Sequence, residues 1–329
     1  MVDWLAVDNS IAILGFYLTT TSQFTLIFLT LFFVQRDLGH YRYLIILFSI
    51  LGIAFASLEF VLYPILHNYN GGYMFFTVTK PLNASNEVLK VMLVGYTGLY
   101  ASTISLLAVQ FIYRYVAVFD SEGLKYFKGI YFFLWILYVT WFGIEWALGL
   151  YIFAPVDDYT REYMRPEMSS FYEQDISVLP CYSVVPYQHI PNSTESFVRW
   201  WNLCCTFNMT FIMSSQYGIM IYCGHQLYYN MNEKISLLSK QMRKLHKQIF
   251  KTLMLQITTP TIVLFSPIIF TIYSPLFDLK MSVPTGIFLS GFTLYPGLDA
   301  FILMYVITDY RRAFQNLAHG GTRKSRSSG

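Results

Sequence analysis

Hydrophobic residues in this chain come in long, nearly uncharged runs separated by short polar segments. The stretch 11–34 carries no charge and, as a helix rising 1.5 Å per residue, would be roughly 36 Å long. A hydrocarbon core of about 30 Å needs some 20 such residues, so this run is long enough to cross a membrane. Comparable runs cover 43–66 (carrying Glu59, with Pro64 at its end), 88–118 (Lys90 and Arg114 near its ends), 126–153 (with Glu145, closed by Pro155), 197–225, 250–273 and 283–307. The pattern predicts an all-α membrane protein whose single domain, 11–307, is a bundle of seven transmembrane helices. Residues 1–10 form a short leading segment with Asp3 and Asp8 but no Lys or Arg, so no basic signal-peptide region precedes the first run, which reads as a retained anchor. In the tail, 308–329, Tyr310, Phe314 and Leu317 recur at i, i+4 and i+7 beside Arg311 and Arg312. That spacing predicts a short amphipathic helix lying on the membrane surface.

Composition narrows the class further. The 329 residues are 55% hydrophobic, 19% aromatic and 12% charged, about half the charge of a soluble domain, which is too little to cover two soluble domains of this combined length. Intrinsic disorder is excluded by the same hydrophobicity, and four Cys in so long a chain exclude a disulfide scaffold. A net charge of +3 gives no reason to expect a nucleic-acid partner.

The few charges are informative through their placement. Sixteen of the 22 Lys and Arg residues fall on one side of the predicted spans and six on the other. By the positive-inside rule the amino terminus is extracellular and the carboxyl tail cytoplasmic. The sequons Asn83-Ala84-Ser85 and Asn192-Ser193-Thr194 lie in loops that this topology puts outside, which makes Asn83 and Asn192 candidate glycosylation sites. The longest outer loop, 154–196, holds seven acids, more simply read as an outer loop free of basic residues than as a cation guide.

Several motifs sit at span ends. Gly39-His40-Tyr41-Arg42-Tyr43-Leu44 follows the first span, Tyr63-Pro64-Ile65-Leu66-His67 ends the second, and Gln110 to Val116, containing Tyr113-Arg114-Tyr115, ends the third. The sixth is preceded by the basic segment 241–251, the seventh contains Tyr295-Pro296-Gly297-Leu298-Asp299-Ala300, and Asp309-Tyr310-Arg311-Arg312 follows it. In this order the motifs resemble the nematode Str-type seven-transmembrane chemoreceptors over nearly the whole chain. The resemblance implies a G-protein-coupled chemosensory receptor, multi-pass in the plasma membrane of a sensory neuron and its cilium, that binds a small, volatile odorant and activates a heterotrimeric G protein. It leaves homo- and heterodimers both open.

Arg114 resembles the Asp-Arg-Tyr arginine of rhodopsin-like receptors, although Tyr113 stands where the acid would be. With Tyr115 it is a candidate for G-protein coupling, since a long planar guanidinium can hold helix ends together and then reach a partner's carbonyls. Lys240, Arg243, Lys244, Lys247 and Lys251, spaced by three or four, put a basic stripe on one helical face. Such a stripe suits a G-protein surface or anionic membrane lipid, or simply pins the end of the span. Asp299, deep in the seventh span, is expensive there and so a functional candidate, with Glu59 as a possible partner in a polar switch. Family members carry Leu-Asp-Pro at this point; here Ala300 follows the acid, so Pro296 is the expected kink, alongside Pro260 and Pro267 in the sixth span. An apolar pocket is expected among the spans at the outer side, with Tyr96, Tyr100, Phe207 and Phe265 as candidate contacts.

The main alternative is a ligand-gated ion-channel chemoreceptor, whose amino terminus would be cytoplasmic. Neither His-Glu-x-x-His nor Gly-x-Ser-x-Gly occurs, and we expect no enzymatic activity, metal or cofactor.

Overall fold

The structure is a computed structural model that describes residues 4–34, 39–190, 195–237, 239–261, 266–277, 279 and 281–318. Long helices dominate: α1 (Trp4–Phe32), α2 (Tyr41–Leu62), α3 (Asn86–Phe119), α4 (Phe132–Phe153), α6 (Trp200–Lys234), α7 (Lys240–Pro260), α8 (Ser266–Tyr273) and α9 (Gly286–Val306). A shorter α5 (Asp158–Phe171) lies between α4 and α6, and α10 (Thr308–Ala318) follows α9. Four of these segments, Asn9–Phe32, Tyr41–Leu62, Asn86–Phe119 and Gly129–Phe153, are long and apolar enough to cross a membrane. The number rises to five if Gly291–Val306 and Thr308–Gln315, bent by 93°, count as one span. Helix α6 stands outside this group because it carries more polar residues; three of these, Asn202, Thr206 and Gln216, are buried.

Local chemistry sets the ends. Ser85 caps α3 by accepting from the Val88 amide, and Ser239 caps α7 by accepting from Met242. Helix α2 stops at Tyr63, which turns left-handed at φ 57° before Pro64. The chain expected to open the fourth span at residue 126 forms short 3-10 turns instead, and the α-helix starts at Phe132. Pro260 is the last residue of α7 and Pro267 the second of α8, so both flank the boundary between those helices rather than sitting mid-helix.

Helix α3 runs through the middle, against α2, α4 and α6, while α1 packs on α2 and α9. Small residues permit the close approaches. A Cβ on Gly143 of α4 would stand 2.9 Å from the Gly98 carbonyl of α3, and one on Gly52 of α2 would stand 2.7 Å from the Pro296 ring of α9.

One end of the bundle is closed by a sheet that the hydrophobic runs concealed. Strands β1 (Ile65–Tyr69), β2 (Gly72–Phe76), β3 (Cys181–Val184) and β6 (Ser282–Pro284) form an antiparallel sheet in the order β3-β2-β1-β6. The strands come from three different loops. Tyr69 pairs with Gly72 across a two-residue Asn70-Gly71 turn, with Asn70 at φ 48°, a conformation Asn tolerates better than most residues. Alternation sorts the strand side chains onto two faces. Leu66, Tyr73, Phe75, Tyr182 and Val184 join the bundle core, whereas Ile65, Met74, Phe76 and Cys181 form a second core with Met164 and Met168 of α5. A further pair, β4 (Tyr187–His189) and β5 (Ser196–Val198), lies beside α6.

Three of the seven acids of the 154–196 loop make contacts around this cap. Asp157 accepts from the Thr160 amide and pairs with Arg199, Asp158 pairs with Arg161, and Glu167 accepts from Ser282 and contacts His67 at 2.9 Å. All four cysteines are free thiols.

Candidate functional site

Beneath the sheet lies an apolar cavity of about 60 Å3. Leu66, Tyr73 and Phe75 roof it from the strands, and Tyr96 and Tyr100 of α3, Trp146 of α4 and Phe292 of α9 form its walls. Tyr96 and Tyr100, two of the candidate contacts, line this cavity. Phe207 does not: it is 57% exposed on the outer face of α6, because the turn of that helix directs its neighbours Asn202, Thr206 and Met209 inward. Phe265 lies outside the described residues.

The cavity wall carries one buried acid–hydroxyl pair. The Tyr96 hydroxyl donates to Glu59 Oε2 at 2.7 Å, and the Tyr96 ring stacks on Phe55. The structure thus corrects the expected partnership of Glu59 with Asp299. Gly52 faces Pro296, Glu59 is seven residues nearer the sheet and Asp299 three residues farther from it, which separates the two acids by roughly 15 Å along the bundle at 1.5 Å per residue. A second, smaller cavity of about 20 Å3 lies below the first. It shares Tyr100 and Phe292 with the upper one and is floored by Pro296. Tyr100 and Phe292, with ring centroids 5.0 Å apart, form the partition between them. Pro296 is held from the other side by Gln23, whose Nε2 donates to its carbonyl.

At the end remote from the sheet, Arg114 is buried, 6% exposed. Its guanidinium carbon lies 3.7 Å from the centre of the Tyr41 ring and 5.4 Å from that of Tyr113. Nε and Nη2 make no hydrogen bond among the described residues. The charge is therefore held by an aromatic face, which attracts a cation through its quadrupole. Tyr41 is fixed in turn by donating to Gln110 Oε1 at 3.0 Å and by its ring contact with Tyr113. Asp299 is fully buried and near enough to Tyr41 to act on it electrostatically. Asp299 faces Gln256, and Tyr295 donates to the Gln256 carbonyl at 2.8 Å. Arg114 and Asp299 thus both bear on Tyr41, Arg114 by direct ring contact and Asp299 through its charge alone. Tyr115 points elsewhere, toward Phe119 and Tyr222.

The basic stripe of α7 faces out. Lys240, Arg243, Lys244 and Lys247 are exposed, with Leu245 and Ile249 buried on the opposite face. Helix α10 turns Tyr310 into the bundle, where its hydroxyl meets Thr30 Oγ1 at 2.7 Å, and leaves Phe314 exposed. Asn83 is exposed in the turn before α3, and Asn192 lies outside the described residues. Neither Tyr41 nor Gln256 stands out along the chain as a site residue. The available signals were Gln110 and Gln256, amides within apolar runs that had to find buried partners.

A family model for "Serpentine type 7TM GPCR chemoreceptor Str" matches residues 8–315. The chain belongs to this Str family of serpentine chemoreceptors. The receptor is 35% identical over 320 residues to "G-protein coupled receptor str-33" of Caenorhabditis elegans, covering 96% of this chain and 93% of that one. It is 30% identical over 321 residues to "Serpentine receptor class r-10" of the same nematode, covering 96% and 92%. More distantly, "Serpentine receptor class J-38" matches at 24% identity over 303 residues, 88% of this chain and 87% of the relative. The receptor is thus a membrane protein of a serpentine, seven-transmembrane family.

Proposed function

We propose that this Str receptor is a G-protein-coupled chemoreceptor of the plasma membrane, with the sheet and amino terminus outside and the tail in the cytoplasm. It takes a small odorant into the cavity beneath the sheet. The observation that carries this reading is the apolar cavity beneath the sheet, whose floor, Tyr100 and Phe292, rests on the Pro296 segment of α9, one turn from Asp299. An odorant filling the cavity presses on that floor, moves α9 against α2, and so alters the ring that holds Arg114. Released from Tyr41, Arg114 can meet carbonyls of a heterotrimeric G protein docked beside the basic stripe of α7. The cavity chemistry favours an apolar molecule of a few heavy atoms with one acceptor for a tyrosine hydroxyl. The charge asymmetry and exposed Asn83 support the orientation, and the chemosensory role supports placement in a sensory cilium.

The test is heterologous expression with an odorant panel and a calcium or cAMP readout. Wild type should respond to at least one small volatile, and Arg114→Ala should reach the cell surface normally yet give no G-protein signal. Full signalling by that variant would refute the coupling role.

A further inference from the structure

Outside the capped cavity, a separate cleft of about 310 Å3 lies where the start of α3, the end of α4, α5 and β3 meet. Its floor is apolar, made by Tyr151, Ile176, Leu179 and Tyr182, and its walls carry Glu87 and Lys90 from α3 and Arg161 from α5. Lys90 and Arg161, from different elements, line the same cleft, and both charges act on Cys181. The buried Cys181 thiol lines the same cleft; burial pushes its pKa up to about 11, and Lys90 and Arg161 pull it back down.

The anions now beside these cations are easily exchanged. Lys90 Nζ meets Glu87 Oε1 at 3.0 Å and Arg161 Nη1 meets Asp158 Oδ1 at 2.7 Å, each three residues apart on one helix. The carboxylates are 81% and 100% exposed, the cations 35% each. Pairs between groups so open to water are weak, so an incoming acid held by both cations competes with two solvated partners.

We propose that this cleft is a second ligand site, for a single-chain anionic amphiphile whose carboxylate sits between Lys90 and Arg161 and whose hydrocarbon chain lies on Ile176, Leu179 and Tyr182. The cleft has room for one short chain, not for a two-chain phospholipid. It opens beside Tyr151, 53% exposed at the end of α4, so an amphiphile enters from the boundary between water and lipid with its head outward. Occupancy would also bear on the cavity roof. Tyr182 donates to the Lys90 carbonyl and pairs in register with Phe75, which lines the main cavity. The site therefore adjoins the odorant cavity through one strand pair, and its existence does not depend on the signalling role of Arg114.

The test is binding of tritiated octanoate to the full-length chain in phosphatidylcholine nanodiscs. Binding should saturate and be displaced by unlabelled octanoate but not by octanol or octylamine. Lys90→Gln and Arg161→Gln should each weaken it roughly tenfold, whereas Lys90→Arg and Glu87→Gln should retain it, with unchanged thermal unfolding showing that all four fold. Displacement by octanol as strong as by octanoate, or wild-type affinity in both Gln variants, would overturn the proposal. So would loss of octanoate binding when phosphatidylserine is added to the disc, which would assign the cleft to a lipid headgroup.

Discussion

At the scale of single residues, Arg114 shows how a buried charge is kept without a carboxylate. Removing a cation from water is costly, and here the residue preceding Arg114 is Tyr113, not an acid. The face of Tyr41 supplies the compensation instead, at a ring distance of 3.7 Å. Tyr41→Leu deletes that face and leaves the guanidinium only the more distant Tyr113 ring, so thermal unfolding should show a loss of about 2 kcal/mol. Tyr41→Phe retains the ring, forfeits the hydroxyl's contacts with Gln110 and Arg114, and should cost less than half as much. Equal losses in the two variants would show that the hydroxyl, not the aromatic face, holds the arginine in place.

At the scale of elements, the sheet cap is held by polar contacts from both of its faces. On one, Asn68 of β1 donates to the Thr271 carbonyl and Ser274 Oγ and accepts from Thr285 Oγ1, tying the sheet to α8 and the start of α9. On the other, His67 is sandwiched between the Tyr172 hydroxyl and Glu167, both at 2.9 Å. Burial lowers the His67 pKa below 6.5 and Glu167 partly opposes this. A depressed folded-state pKa means that the neutral ring is favoured on folding, so the contribution is fully present above pH 6.5 and is lost as pH falls through the folded-state value. Hydrogen exchange of the 65–76 segment should therefore be slow at pH 7.5 and faster at pH 5.5, and His67→Gln should flatten that dependence. An identical pH dependence in the variant would rule out His67 as its source.

At the scale of the whole molecule, the cap, the two stacked cavities and the Arg114 cluster form one column between opposite ends of the bundle. Leu289 lines the main cavity from α9, so Leu289→Trp should fill it, abolishing the odorant response while surface expression persists. Orientation is tested independently at Asn83. If the sheet end is extracellular, Asn83→Gln should increase the receptor's electrophoretic mobility by one glycan, and enzymatic deglycosylation of wild type should reproduce part or all of the shift. An unchanged mobility at Asn83 would remove the sequon as support for the topology.

The sequence by itself determined what depends on local pattern and bulk solvation. Long apolar runs require helices in lipid, because every backbone polar group must be satisfied within the segment, and the ordered motifs at their ends carried the family. Arg114 and Asp299 stood out for the same reason, as charges in an apolar context. The tertiary structure decided what depends on pairing across distance. Ile65 to Phe76 reads as the end of one hydrophobic run and its loop, yet strands from three loops make it a sheet buried on both faces, and only the Asn70-Gly71 turn hinted at this. The partners of the buried charges were likewise invisible, since Glu59 and Asp299 share chemistry but sit at different depths, while Tyr41 is brought to Arg114 only when α2 packs on α3. The aromatic excess that concealed the pocket in the sequence is resolved by helix phase, which turns Tyr96 and Tyr100 inward and Phe207 outward.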